Sequence, residues 1–217
     1  MKIAQIAPLM ESVPPRLYGG TERIVSYLSD ELVRLGHEVT LFASADSVTA
    51  AELVGCASVA LRLDANVRDP IPYYMLMLDR VRKLAEEFDI LHFHIDQFHF
   101  PLFRRMADRT VTTLHGRQDS PDLKPLYLGF SEMPLVSISN DQRRPVANAN
   151  FVGACARSSR CQAAVRATIF VRTHGRGLRR ALPFAAQAAV HFGARNNRAA
   201  VTSDIRKKVE WTRSRGR

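Results

Sequence analysis

Three stretches of this chain carry groups able to do chemistry. The run His92-Phe93-His94-Ile95-Asp96-Gln97-Phe98-His99 sets three imidazoles and a carboxylate within eight residues. On an extended strand, alternate side chains share a face, so His92, His94 and Asp96 point the same way. Such a trio can bind a divalent metal, face a polar ligand, or sit satisfied inside the fold. Asp96 and Gln97 suit orienting an acceptor hydroxyl beyond a strand end, and Asp96 equally suits capping a helix. The second stretch is His115-Gly116, which comes after the apolar and threonine run Val111–Leu114. A neutral imidazole there can hydrogen-bond a hydroxyl or steady developing charge. The third is Gly19-Gly20-Thr21, where a glycine pair either permits a tight turn or leaves backbone amides open to a phosphate.

The elements that must position these residues emerge from periodicity. Lys2–Ala7 reads as a buried strand, broken by Pro8 and the Pro14-Pro15 pair. Ile24, Leu28, Leu32 and Leu35 then recur at helical spacing, with Thr21 as N-cap, Glu22 in the positive first turn and Gly36 as the stop. His37–Phe42 resumes as a strand. Residues 43–51 read as a loop or a helix start, Val59–Leu63 as a short strand, and Asp69–Pro72 as a breaker. Tyr73–Phe88 is helical by pattern, with Leu76, Val81, Leu84 and Phe88 on one side. Asp89–Ile95, Val111–Leu114 and Pro134–Ser139 read as strands, and Phe151-Val152 begins another. Short helices fill 100–108 and 140–144. Alternating strands and helices predict an α/β fold, a mostly parallel sheet with helices on both faces. Ligands of such sheets lie beyond the carboxyl ends of the strands, where all three chemical stretches fall.

Charge divides the chain sharply. Residues 1–153 hold 16 of the 31 Lys and Arg and 19 of the 21 Asp and Glu, a net charge of −3. Residues 154–217 hold the rest, a net charge of +13. Few branched or aromatic residues accompany that charge, so the composition predicts a disordered basic Ala/Arg-rich tail, dispensable for folding of the body. Its charge suits weak contact with an anionic membrane surface. It carries one tryptophan, Trp211, and no nucleic-acid motif, so no nucleic-acid partner is expected. Cys56, Cys155 and Cys161 are an odd set without a CxxC pair, which fits a reducing compartment. With no signal peptide and no apolar run of about 20 residues, the expected location is cytoplasmic.

The order strand, Tyr18-Gly19-Gly20-Thr21-Glu22-Arg23, helix, Leu35-Gly36-His37-Glu38-Val39 resembles the start of sugar-nucleotide-dependent glycosyltransferases of the GT-B fold. The closer likeness is to their retaining branch, glycosyl transferases group 1. The resemblance covers residues 1 to about 153. It implies a Rossmann-like amino-terminal, acceptor-side domain that acts with a second, nucleotide-sugar domain. The implied reaction moves a hexosyl group from a nucleoside diphosphate sugar to an acceptor hydroxyl, with retention and without an essential metal or cofactor. By the same resemblance, His115 is the catalytic histidine that reaches the donor sugar. Gly19, Gly20, Thr21, His94, Asp96 and Gln97 are the substrate-binding set.

The likeness stops near Gly153. Residues 154–217 read as GC-rich coding sequence in another frame, a tail of uncertain origin and not a native domain. A chain truncated there, without the nucleotide-sugar domain, is expected to turn over little by itself. Two other classes stay open. His-x-His-x-Asp resembles the metal motif of metallo-β-lactamase-like hydrolases, although Gln97 stands where that motif has histidine. A His-Gly oxyanion loop of an α/β-hydrolase would need a G-x-S-x-G elbow, which the chain lacks. The tail alone would suit a non-catalytic basic binding protein.

Overall fold

The computed structural model describes residues 1–154, which lie within one compact unit. Its frame is a seven-stranded sheet, every pairing parallel. The strands are β1 (Lys2–Ile6), β2 (Glu38–Ser44), β3 (Glu52–Ala57), β4 (Ile90–Phe93), β5 (Thr110–Leu114), β6 (Leu135–Ser137) and β7 (Phe151–Ala154), in the order β3-β2-β1-β4-β5-β6-β7. The α-helices are α1 (Gly20–Arg34), α2 (Ile71–Leu84), α3 (Phe100–Phe103), α4 (Leu123–Gly129) and α5 (Asn140–Arg143). The chain direction across the sheet reverses between β1 and β4. This is the switch point at which doubly wound sheets open a crevice for ligands.

Helices cover both faces, as the alternation predicts. Leu28 and Leu32 of α1 pack with Ile3, Val39, Ile90, Val111 and Val136 on one face. Met77, Leu78 and Val81 of α2 pack with Ala4, Ile6, Leu91 and Phe93 on the other. Adjacent β1 residues therefore serve opposite cores, the period-two rule of a strand buried on both sides. The C-terminus of α1 closes as a Schellman turn. Gly36 has φ +82°, its N–H donates to the Val33 carbonyl at 2.9 Å, and the His37 N–H donates to Leu32 at 3.1 Å.

Several sequence expectations need correction. Val59–Leu63 is not a strand; Leu61–Leu63 is a 3-10 turn that buries Leu61. The strand lies earlier, at β3, where half-exposed edge residues and Gly55 give a weak pattern. Its glycine permits close packing, since a Cβ on Gly55 would lie 2.8 Å from that of Ala45. Thr21 does not cap α1. The helix already begins at Gly20, behind Gly19, and no side chain caps it. The buried stripe of α1 is Val25, Leu28 and Leu32, with Leu35 exposed; on α2, Leu76 is likewise exposed. Helix α4, in a stretch that contains Pro121 and Pro125, has no counterpart among the elements expected from the sequence.

Cys56 is a free, half-buried thiol whose pKa burial pushes up to about 11. No described helix is long and apolar enough to cross a membrane. The basic tail, with Cys155, Cys161 and Trp211, lies outside the described residues apart from its first position, Ala154.

Candidate active site

The carboxyl edge of the sheet opens into a cleft of about 430 Å³. Its walls come from the β1–α1 loop (Pro8, Met10, Glu11, Tyr18, Gly19), the first turn of α1 (Gly20, Thr21, Glu22), Arg62, Thr113 near the end of β5, and His115 and Ile138 just beyond β5 and β6. The glycine pair and His115, 95 positions apart from Gly20, thus meet on one surface. The two glycines do different work. A Cβ on Gly19 would collide with Pro15 and Glu22, whereas a Cβ on Gly20 would meet nothing within 4 Å. Gly19 lets the loop pack on itself, and Gly20 leaves the mouth of the helix open. Among the described residues no group accepts from the Gly20 or Thr21 N–H, so these first-turn donors can meet an anion.

Behind His115 the sheet changes character within one residue pair. Ile3 of β1 is in register with Ile90 of β4, both in the apolar core; two residues on, Gln5 is in register with His92. Gln5, His92 and Thr113 are fully or almost fully buried. His92 Nε2 is hydrogen-bonded to Thr113 Oγ1 at 2.8 Å, and His92 Nδ1 to Gln5 Nε2 at 3.4 Å. Gln5 Oε1 is hydrogen-bonded to His94 Nε2 at 2.9 Å, and His94 Nδ1 to His115 Nε2 at 3.0 Å. The His92 and His94 rings stack with centroids 4.2 Å apart, which bears out their shared face. Burial disfavours the charged imidazoles, holding His92 near 3, His94 well below its ordinary value and His115 near 4. All three are neutral at physiological pH.

Asp96 does not join them. It adopts φ +52°, which breaks the alternation and turns the chain away after β4. Burial raises its carboxyl pKa while the His115 backbone N–H pulls it down, and its Oδ1 is buried without a partner. It does not cap α3 either, which has no side-chain cap. Gln97 is a strut: its Nε2 donates to the Tyr127 hydroxyl at 2.6 Å, and Tyr127 donates to Gln118. His94, Asp96 and Gln97 therefore stand behind or beside the cleft, not on its wall. The His92/His94/Asp96 metal reading meets an obstacle in these bonds, since the ring nitrogens of both histidines are engaged by protein groups. Among the described residues no set of three His, Cys, Asp or Glu is grouped as metal ligands.

Sequence reasoning misses three charged residues on the wall. Glu11 is 2% exposed; its Oε1 accepts from Arg62 Nη1 at 2.9 Å, and its Oε2 is buried without a partner. Glu22, legible only as a first-turn acid, is buried with a raised pKa, chiefly from desolvation, with Glu11 adding to it. No motif marks Glu11 or Arg62; only the 3-10 turn at 61–63 brings Arg62 back to the loop.

No curated protein matches the chain. Among solved structures it resembles AviGT4, a glycosyltransferase involved in avilamycin A biosynthesis, at 21% identity and a TM-score of 0.43, over 67% of this chain and 38% of that one. It resembles a glycosyltransferase from Rickettsia africae ESF-5 at 18% identity and a TM-score of 0.45, over 70% and 41%. It also resembles the C-terminal domain of the coenzyme A biosynthesis bifunctional protein CoaBC at 14% identity and a TM-score of 0.40, over 64% and 74%. The chain thus spans about two-fifths of the two glycosyltransferases. A family profile matches residues 18–167, running past the change in composition at Gly153 and taking in most of the chain, and by that match the chain belongs to Glycosyltransferase Family 4.

Proposed function

We propose that this chain is the acceptor-side domain of a retaining glycosyltransferase, which moves a hexosyl group from a nucleoside diphosphate sugar to an acceptor hydroxyl. In that reaction the acceptor oxygen bonds to the anomeric carbon as the bond to the phosphate oxygen breaks, and the acceptor's proton leaves with the phosphate. The meeting of the open first turn of α1 with a neutral histidine in one cleft carries the reading. The Gly20 and Thr21 N–H groups suit phosphate oxygens, and His115 suits a sugar hydroxyl. His94 acts through His115, while Asp96 and Gln97 hold the loop beside it. A nucleotide-sugar domain supplies the opposite wall, and no metal is required. The partners are accordingly a small-molecule sugar donor and acceptor.

Release of nucleoside diphosphate from a panel of nucleoside diphosphate hexoses tests this. The chain joined to a nucleotide-sugar domain should release it with at least one donor and acceptor, and the 217-residue chain alone should not. Steady turnover by the chain alone, or silence of the joined protein across the panel, would contradict the proposal.

A further inference from the structure

Gln5 stands at the centre of the buried polar row, and the two ends of its amide are unlike. A carboxamide oxygen only accepts and its NH₂ only donates. With Oε1 at His94 Nε2, that nitrogen must carry the proton, so in the neutral ring Nδ1 is a bare lone pair. Across 3.0 Å, His115 Nε2 must then be the donor, which leaves His115 Nδ1 bare. On the other branch, Gln5 Nε2 donates to His92 Nδ1, and His92 Nε2–H donates to Thr113. One amide orientation thus settles three tautomers. Turning the amide over would reverse every bond and leave His115 with a proton on Nδ1.

We propose that Gln5 is a positioning residue that holds His115 in its Nε2–H tautomer, so that His115 meets its ligand as an acceptor through Nδ1. Among the described residues Nδ1 has no hydrogen-bond partner, and His115 lines the cleft. The ligand atom opposite it is therefore a hydrogen-bond donor, which on a sugar is a hydroxyl, and not a carbonyl or ionised phosphate oxygen. Phosphate belongs instead at the Gly20 and Thr21 amides, which only donate. The identity of the ligand rests on the transferase reading; the tautomer relay does not.

Long-range proton–nitrogen NMR of the 217-residue chain, ¹⁵N-labelled at its seven histidines, reads the tautomers directly. His115 is assigned by its loss in His115→Asn. The wild type should show His115 protonated at Nε2. Gln5→Leu should leave His115 a mixture of tautomers. A wild-type His115 protonated at Nδ1, or a folded Gln5→Leu with His115 still wholly Nε2–H, would each overturn the relay. Should Gln5→Leu not fold, the wild-type spectrum decides. Intact tautomers with a silent transferase would count against the proposed function and not against Gln5.

Discussion

The carboxylate of Glu22 occupies the space a side chain on residue 19 would need: a Cβ there would lie 2.8 Å from Glu22 Oε2 and 2.7 Å from Pro15 Cβ. The loop that opens the cleft is thus closed on itself by a glycine, with a carboxylate packed into the gap. Gly19→Ala should force these groups apart and cost about 1–3 kcal/mol, the usual scale of overpacking. Gly20→Ala meets open space at a helical position and should change stability by only about 0.5 kcal/mol or less. Thermal melts of the two variants side by side check the contrast; equal losses would contradict it.

The buried imidazoles make the fold acid-sensitive. His92, His94, His99 and His115 all have folded pKa values depressed by burial, from an unfolded value near 6.5. Below about pH 6.5 the unfolded chain takes up protons that the folded chain refuses, so stability is complete above that pH and falls as pH drops toward 4 and 3. Each such histidine contributes roughly 1.4 kcal/mol per pH unit in that window. Chemical denaturation between pH 7 and 5 should show this steep loss. His99→Phe, which keeps a ring against Phe93, should make the loss shallower by about one proton. A flat profile would mean these rings titrate normally.

The Glu11–Arg62 pair is lopsided, since Glu11 is buried and about half of the Arg62 side chain is exposed. Arg62→Ala should leave a buried carboxylate without its partner and cost about 1–3 kcal/mol, less than for a fully buried pair because solvent screens the guanidinium. Glu11→Gln in that background should recover much of the loss. A double-mutant cycle from denaturant melts checks this, and additivity would show that the two residues do not act as a pair.

What the sequence made legible was the strongly patterned part. The β1–α1–β2 unit, the strands around His92 and His115, and the helices on both faces all announce themselves by periodicity. Edge strand β3 did not, because a half-exposed strand with a glycine shows neither continuous burial nor clean alternation. The candidate cleft was legible in its glycines and His115, whose place at the strand ends is set by topology. Gln5 was hidden inside an apolar strand, and its partner residues lie 87 and 89 positions away, a pairing that only the β1–β4 register creates. Glu11 and Arg62 were hidden for a similar reason, being joined by a turn that reads as strand.

On the proposed function, the cleft between the glycine loop and His115 is this chain's side of a glycosyl-transfer site. The most direct measurement is turnover of the chain joined to a nucleotide-sugar domain, wild type against His115→Ala, with folding checked by the thermal midpoint. Loss of one positioned contact in the transition state predicts a fall of roughly one to three orders of magnitude with the midpoint little changed. Unchanged turnover by a folded His115→Ala protein would contradict the account.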